Sequence, residues 1–140
     1  MGLEELPKID PKGKSGRFVL FGVVPAGTDY ERRLESVLEN CIYLRIGSLN
    51  GAHKGISMGF SQEFWKALGI NLDELDNIEK YRRVMNASPL PYEFGGGDII
   101  WNEQDKTIEF CGSSLTFGDY EPELLRMLAE SELRDYTVKY

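Results

Sequence analysis

The stretch FGGGDIIWNEQDKTIEFCGSSLTFG, residues 94–118, decides the fold of this chain. Its two apolar runs, Asp98–Trp101 and Thr107–Cys111, flank a polar turn and predict a β-hairpin. Glycines stand at both ends of the hairpin: Gly95–Gly97 before the first strand and a Gly-Ser-Ser loop after the second. Because glycine adds no side chain to a core, these residues serve either the bulged start of a strand or a backbone surface that approaches a ligand.

Apolar patterns predict two strands and a helix before this hairpin. The run Arg17–Pro25 is almost continuously apolar, which is typical of a central strand buried on both faces. Residues 41–49 predict a second strand. Between the two, Thr28 and Glu31 have the spacing of a capping box, and apolar residues at helical spacing predict a helix over about residues 29–40.

The middle of the chain predicts a loop and two helices. Residues 50–60, NGAHKGISMGF, are rich in glycine and predict a loop. A short helix is expected to begin at Ser61 and to end at Gly69. An apolar stripe with acidic flanks predicts a second helix over residues 72–85, and the two prolines of residues 86–92 predict a loop.

After the hairpin, Pro122 is expected at the first position of a last helix, and residues 135–140 predict a short final strand. The mixture of strand and helix runs predicts an α+β fold: a single compact domain with a mixed β-sheet flanked by helices. Residues 1–15 are expected to be a mobile lead-in, and residues 16–140 the domain, with an inserted helical segment near residues 71–91.

Composition excludes several classes of function. The chain has 140 residues, of which 41% are hydrophobic and 28% charged, as in soluble globular domains. Apolar runs long enough to cross a membrane and a signal-peptide pattern are both missing, so we expect a cytoplasmic protein without membrane contact. A net charge of −7 disfavours nucleic acid as a partner. Cys41 and Cys111 lie in apolar runs, and no cluster of cysteine and histidine predicts a metal site.

Two features carry candidate chemistry. His53 is the only histidine, and histidine is the side chain best suited to proton transfer near neutral pH. Its glycine-rich surroundings predict a flexible, exposed loop. A loop of residues 112–118 follows the second strand of the hairpin. Its amides, together with the hydroxyls of Ser113, Ser114 and Thr116, predict either a nest for an anion or an ordinary connection between strand and helix.

These motifs together resemble the Janus/Ocnus family, which includes the protein phosphohistidine phosphatases. The family's triple glycine, polar turn with Asp-Lys, serine-containing loop and Pro-Asp-Tyr-x-Val ending are matched, in that order, at Gly95–Gly97, Gln104–Lys106, Ser113–Gly118 and Arg134–Val138, with Arg134 in place of the proline. The match needs no gap and covers about a third of the chain. The resemblance implies a compact mixed sheet flanked by helices.

The resemblance also implies a site for a phosphoryl group. The amides of Ser113–Thr116 and the side chain of Ser114 would form the pocket, and Gly95–Gly97 a neighbouring wall. Arg17 stands where the family has a phosphate-binding lysine, and arginine can bind phosphate through two donors at once. His53 would assist hydrolysis of a phosphorus–nitrogen bond without metal or other cofactor. The substrate would be a phosphorylated protein or a small phosphoramidate.

The position of the histidine leaves the activity open. A gapless count from the first predicted helix puts the family's histidine near Gly47, so His53 reaches the pocket only if residues 48–55 fold back over it. One alternative is a non-catalytic domain of the same fold that binds a phosphorylated ligand or another protein. Another is an enzyme of different chemistry, with Ser113 as nucleophile. The sequence does not predict the oligomeric state.

Overall fold

The computed structural model describes residues 3–70, 76–79, 82 and 89–140. Within these residues, a mixed sheet has the strand order β1-β3-β2-β4-β5-β6. The strands and helices, in chain order, are β1 Ile9–Asp10, β2 Gly16–Val24, β3 Ile42–Gly47, α1 His53–Ala67, β4 Leu90–Asn102, β5 Thr107–Cys111, α2 Pro122–Glu132 and β6 Thr137–Lys139. The four central strands pair antiparallel, and β1 and β6 pair parallel at the edges. The predicted α+β class is confirmed.

Strand β2 lies at the centre of the sheet and supplies both cores, as its continuous apolar run predicts. Phe18 and Leu20 face α2 and pack with its leucines. Val19 and Phe21 point to the opposite face, where they pack against α1. All four side chains are buried. Because residues alternate between the faces of a strand, α1 and α2 cover opposite sides of the sheet.

The helix predicted over residues 29–40 is wrong. The segment contains only a short 3-10 turn, Tyr30–Arg32, followed by irregular turns. The Thr28 hydroxyl donates to the carbonyl of Pro25, at 2.7 Å, and does not cap a helix. Farther along, Leu38 N–H donates to the carbonyl of Val23, at 2.8 Å, which ties the segment to the end of β2. These backbone contacts replace the hydrogen bonds that an α-helix would form within this segment.

The loop predicted over residues 50–60 is also wrong for residues 53–60, because α1 begins at His53 and not at Ser61. Glycine costs about 1 kcal/mol in a helix relative to alanine. Here Phe60, Phe64 and Trp65 are buried against the sheet, and this burial outweighs the poor helix propensity of the glycines. The predicted end of the helix is confirmed, since Gly69 takes the left-handed conformation at φ +82°.

Two strand segments were missed. Ile9, in the predicted lead-in, is 2% exposed and lies opposite Leu44 in a parallel pair. Strand β4 begins at Leu90, inside the predicted loop of residues 86–92, and extends the pairing with β2. The predicted helix over residues 72–85 lies mostly outside the described residues.

The hairpin that decides the fold is confirmed, with β4 and β5 paired from Asp98↔Cys111 to Asn102↔Thr107. The last helix begins at Pro122 and the final strand covers Thr137–Lys139, both as predicted.

The Glu103 carboxylate ties the hairpin turn to the C-terminal segment. It accepts hydrogen bonds from Lys106 Nζ, Tyr136 Oη and Trp101 Nε1, at 2.6, 2.6 and 2.8 Å. These donors, Lys106 foremost, lower the pKa of Glu103 from 4.5 to about 2. The same contact, seen from Tyr136, raises the pKa of that phenol.

Replacing Glu103 with glutamine is expected to remove a pH-dependent stabilisation. Because the folded pKa lies below the unfolded one, the ionised carboxyl stabilises the fold above about pH 4.5, and this contribution is lost as pH falls towards 2. Urea midpoints of the native protein and Glu103→Gln should therefore differ at pH 7 and converge near the folded pKa. The exposed Glu130→Gln serves as control. Equal midpoints of native and Glu103→Gln protein at pH 7 would contradict this role.

Candidate functional site

His53 is the first residue of α1 and is 7% exposed, so the prediction of an exposed, flexible loop at this position is wrong. The chain folds back after β3, and Ala52 in extended conformation caps the helix that His53 begins. The ring Nε2 lies 3.0 Å from the carbonyl oxygen of Gly97. A carbonyl oxygen can only accept, so Nε2 carries the proton. In the neutral ring Nδ1 is then unprotonated and can act as a base or a nucleophile.

The triple glycine of β4 passes directly beside this histidine. A Cβ atom placed on Gly96 would lie 3.1 Å from His53 Cδ2 and 3.4 Å from Ser114 Cβ. The side chains of His53 and Ser114 thus both pack over Gly96, in the space that a side chain at this position would need. Of the two explanations for these glycines, the strand pairing supports the bulge, because the β2–β4 register shifts between Val19↔Gly96 and Phe21↔Glu93 and Gly95 takes a φ of +92°.

The loop between β5 and α2 is closed by its own hydrogen bonds. Ser114 is 3% exposed, and its Oγ accepts from the N–H groups of Thr116 and Phe117, at 3.2 and 3.0 Å. Gly118 N–H donates to the carbonyl of Ser114, at 2.8 Å, and its own carbonyl accepts from Gly96 N–H, at 3.2 Å. An anion bound at the Thr116 amide would therefore have to replace Ser114 Oγ. The side chains of Ser113 and Thr116 are exposed.

Ser114→Ala is expected to lower the free energy of unfolding by about 1–2 kcal/mol, because it leaves two loop amides without their acceptor. Ser113→Ala, at the exposed neighbouring position, should change it by less than about 0.5 kcal/mol. Urea unfolding of the two variants tests this difference, and amide hydrogen exchange at Thr116 and Phe117 should accelerate only in Ser114→Ala. Unchanged exchange at these amides would show that Ser114 Oγ is not their acceptor.

Arg17 connects β2 to the chain that leads into α1. It is half-buried, and its Nη1 donates to the carbonyl of Gly51, at 2.8 Å. In the sheet it lies between Gly47 of β3 and Asp98 of β4. A guanidinium group has five N–H donors, so the bond to Gly51 leaves others for a ligand. Arg17 thus contacts the chain two residues before His53.

Two acidic residues near the site were missed by the sequence analysis. Asp98 lies directly opposite Arg17 and faces the same side of the sheet. Glu93 accepts a hydrogen bond from Ser57 Oγ of α1, at 2.6 Å. The position of Asp98, immediately after the glycines, was an available signal. No sequence signal pairs Glu93 with Ser57, because they are 36 residues apart.

A cavity of about 510 Å³ lies between α1 and the loop of Ser113–Gly118. Its wall includes Lys54, the residue after His53, together with Ser57, Glu93 and Thr116. The wall carries both charges, an exposed lysine and the carboxylate of Glu93. This volume falls in the range of pockets that hold small molecules or single side chains.

The half-buried cysteines Cys41 and Cys111 are free thiols. Burial raises the pKa of Cys111, which disfavours the reactive thiolate. Within residues 3–70, 76–79, 82 and 89–140, no three histidine, cysteine or acidic side chains are grouped so that they would hold a metal ion. In the same part of the chain, no helix combines the length and the apolar character needed to cross a membrane.

No protein-family model matches this chain, and none of the curated proteins matches it. The likeness of residues 95–138 to the Janus/Ocnus family therefore stays a prediction. What the geometry adds is the placement of His53 beside Gly96, Gly97 and Ser114.

Proposed function

We propose that this protein binds a phosphoryl group beside His53 and hydrolyses a phosphorus–nitrogen bond without a metal ion, in the manner of a phosphohistidine or phosphoramidate phosphatase. The observation that carries the proposal is the position of the His53 ring. It is buried, its Nε2 is engaged by Gly97, and its Nδ1 is left as the reactive nitrogen. The substrate is a phosphorylated protein or a small phosphoramidate.

His53 can act either as a nucleophile or as a base. As nucleophile, Nδ1 attacks the phosphorus of a substrate whose nitrogen is already protonated, the P–N bond breaks, and the nitrogen leaves as neutral ammonia or, from phosphohistidine, as neutral imidazole. Water then cleaves the phosphoryl-His53 bond and releases phosphate. As base, Nδ1 takes a proton from the attacking water while the P–N bond to the already protonated nitrogen of the substrate breaks. Brief incubation with phosphoramidate, followed by alkaline quenching, distinguishes them, because only the first role leaves phosphorus on the protein.

Charge at the site supports binding of a phosphoryl group and limits its strength. Arg17 and Lys54 supply positive charge, and the unengaged donors of Arg17 suit the oxygens of phosphate. Asp98, opposite Arg17 in the sheet, opposes a doubly charged anion. The site is therefore better suited to a phosphoryl group of low net charge, such as a phosphoramidate with a protonated nitrogen, than to free phosphate.

The direct test is phosphate release from phosphoramidate and from a phosphohistidine peptide, with and without EDTA. We expect release from both substrates at a rate that EDTA does not change. Release that stops in EDTA would overturn the metal-independent mechanism. A protein that neither releases phosphate nor binds phosphoramidate would overturn the proposal as a whole.

Arg17→Met is expected to weaken phosphoramidate binding about tenfold, because a charge-assisted hydrogen bond to the phosphoryl oxygens is lost. Arg126→Met makes the same change of charge on α2, at an exposed position on the opposite face, and should leave affinity unchanged. Titration calorimetry measures both variants. Equal affinities of Arg17→Met and the native protein would exclude Arg17 as the phosphate anchor.

A non-catalytic phospho-ligand-binding domain is the second candidate, and one observation favours it. The wall of the 510 Å³ cavity includes Lys54 and Thr116 but not His53, whose side chain is buried. Such a domain would bind the phosphoryl group and leave it intact. Phosphoramidate binding without phosphate release would establish this function in place of hydrolysis.

A further inference from the structure

A second cavity, of about 530 Å³, lies on the face of the sheet opposite His53, between residues 34–42 and α2. We refer to it as the α2 groove. Its floor is apolar and is formed by the side chains of Leu34, Val37, Ile42, Leu124 and Leu128. Met127 lies at its edge and is 55% exposed, so it adds apolar surface beside the floor.

Both walls of the α2 groove carry negative charge. Glu35 and Glu39 stand on one wall, and Glu123 and Glu132 on the other. Among the residues that the structure describes, none of the four forms an ion pair with lysine or arginine. Lys8, at one end, is already bonded to the carbonyl of Asn40 and lies 4.5 Å from the centre of the Tyr43 ring. An apolar floor is thus bordered on two sides by unpaired carboxylates.

We propose that the α2 groove binds a basic amphipathic helix of a partner protein. An apolar stripe on that helix would cover the floor, and lysine or arginine on both sides of the stripe would pair with the four glutamates. From Glu123 to Glu132 the wall runs about 13 Å, or between two and three helical turns, which suits a short helix. Because both walls of the groove carry negative charge, the partner helix needs cations on both sides of its apolar stripe.

Charge also disfavours the two simplest other occupants. A second copy of this chain has a net charge of −7, which opposes association of two copies. A neutral apolar ligand would fill the floor but would gain no attraction from the four glutamates. The α2 groove and the His53 site lie on opposite faces of the sheet, so this inference holds whether or not the His53 site is catalytic.

The test uses a fluorescently labelled peptide of about 14 residues, composed of leucine and lysine, with leucine at helical spacing and lysine on both flanks. A control peptide keeps every leucine and replaces lysine with glutamate. Anisotropy titrations with the full chain should give binding of the lysine peptide only, weaker at high salt. No binding of the lysine peptide, or equal binding of the glutamate peptide, would overturn the proposal.

Paired variants test whether binding occurs in the α2 groove. Glu39→Lys/Glu123→Lys reverses one charge on each wall and should reduce affinity for the lysine peptide at least about tenfold. Glu31→Lys/Glu130→Lys makes the same change of net charge at exposed positions outside the groove and should reduce it less than about threefold. Equal losses would show attraction to net charge alone and would overturn the proposal. Self-association of the native chain that only the first pair abolishes would assign the groove to a second copy and would also overturn it.

Discussion

His53→Ala is expected to reduce phosphate release from phosphoramidate by at least about 100-fold, the usual contribution of a positioned acid, base or nucleophile. Nδ1 of His53 is the free nitrogen of the ring, because Nε2 donates to the carbonyl of Gly97. The described chain offers no other imidazole, since His53 is the only histidine. Phosphoramidate binding should fall far less than turnover, because Arg17 remains in place.

His53→Gln separates the chemistry from the packing. Its side-chain amide can donate to Gly97 as Nε2 does, but it has no basic nitrogen at the position of Nδ1. Turnover should fall as far as in His53→Ala, whereas thermal stability should stay closer to that of the native protein. If His53→Gln keeps more than about a tenth of the native rate, His53 does not perform the chemistry. That result would direct attention to other nucleophiles in the site, including Ser113.

Gly95→Ala is expected to give the largest loss of stability among single-methyl changes, about 3 kcal/mol. Gly95 takes a left-handed conformation at φ +92°. An added Cβ would overlap the backbone of Asp119 and lie 2.5 Å from Tyr120 Cα. Backbone cannot move aside as the end of a side chain can, so β4 or the start of α2 has to shift. Because Gly95 adjoins Gly96 and Gly97, the shift should also weaken phosphoramidate binding.

Gly59→Ala is the matched control, since it adds the same methyl group to a glycine of α1. A Cβ at Gly59 would meet no atom within 4 Å, and alanine favours a helix by about 1 kcal/mol over glycine. Gly59→Ala should therefore raise the free energy of unfolding. Urea denaturation measures both variants. A loss below about 1 kcal/mol in Gly95→Ala would mean that the close approach to Asp119 is not a constraint on the fold.

The elements that were predicted correctly are those whose pattern is local. Strand β2 has an apolar run with nothing to interrupt it, the hairpin of β4 and β5 has its turn in the sequence between them, and α2 begins at a proline. In the hairpin and at the start of α2, neighbours along the chain supply the deciding contacts, whereas β2 is recognised from its composition alone.

The errors occur where distant contacts outweigh local preference. Residues 29–40 have the periodicity of a helix, yet the bond from Leu38 N–H to the Val23 carbonyl holds the segment against β2. Residues 51–60 contain three glycines, at positions 51, 55 and 59, which favour a loop. Burial of Phe60 on the sheet nevertheless makes residues 53–60 helical. The sequence patterns within these two segments carry no information about their contacts with Val23 or with the sheet surface.

The sequence by itself determined the α+β class and the hairpin with its glycine ends, because each depends on residue type and short-range spacing. Residue type also made His53 and Ser114 candidates, whereas Arg17 became one only through the family resemblance. Only the tertiary structure decided that His53 begins a helix and meets Gly97, that Ser114 Oγ closes its own loop, and that Asp98 faces Arg17. The α2 groove likewise exists only once residues 34–42 and α2 pack on one face of the sheet. The physical reason is the same in each case. These contacts join segments that are tens of residues apart, and their energies depend on distances that no local pattern encodes.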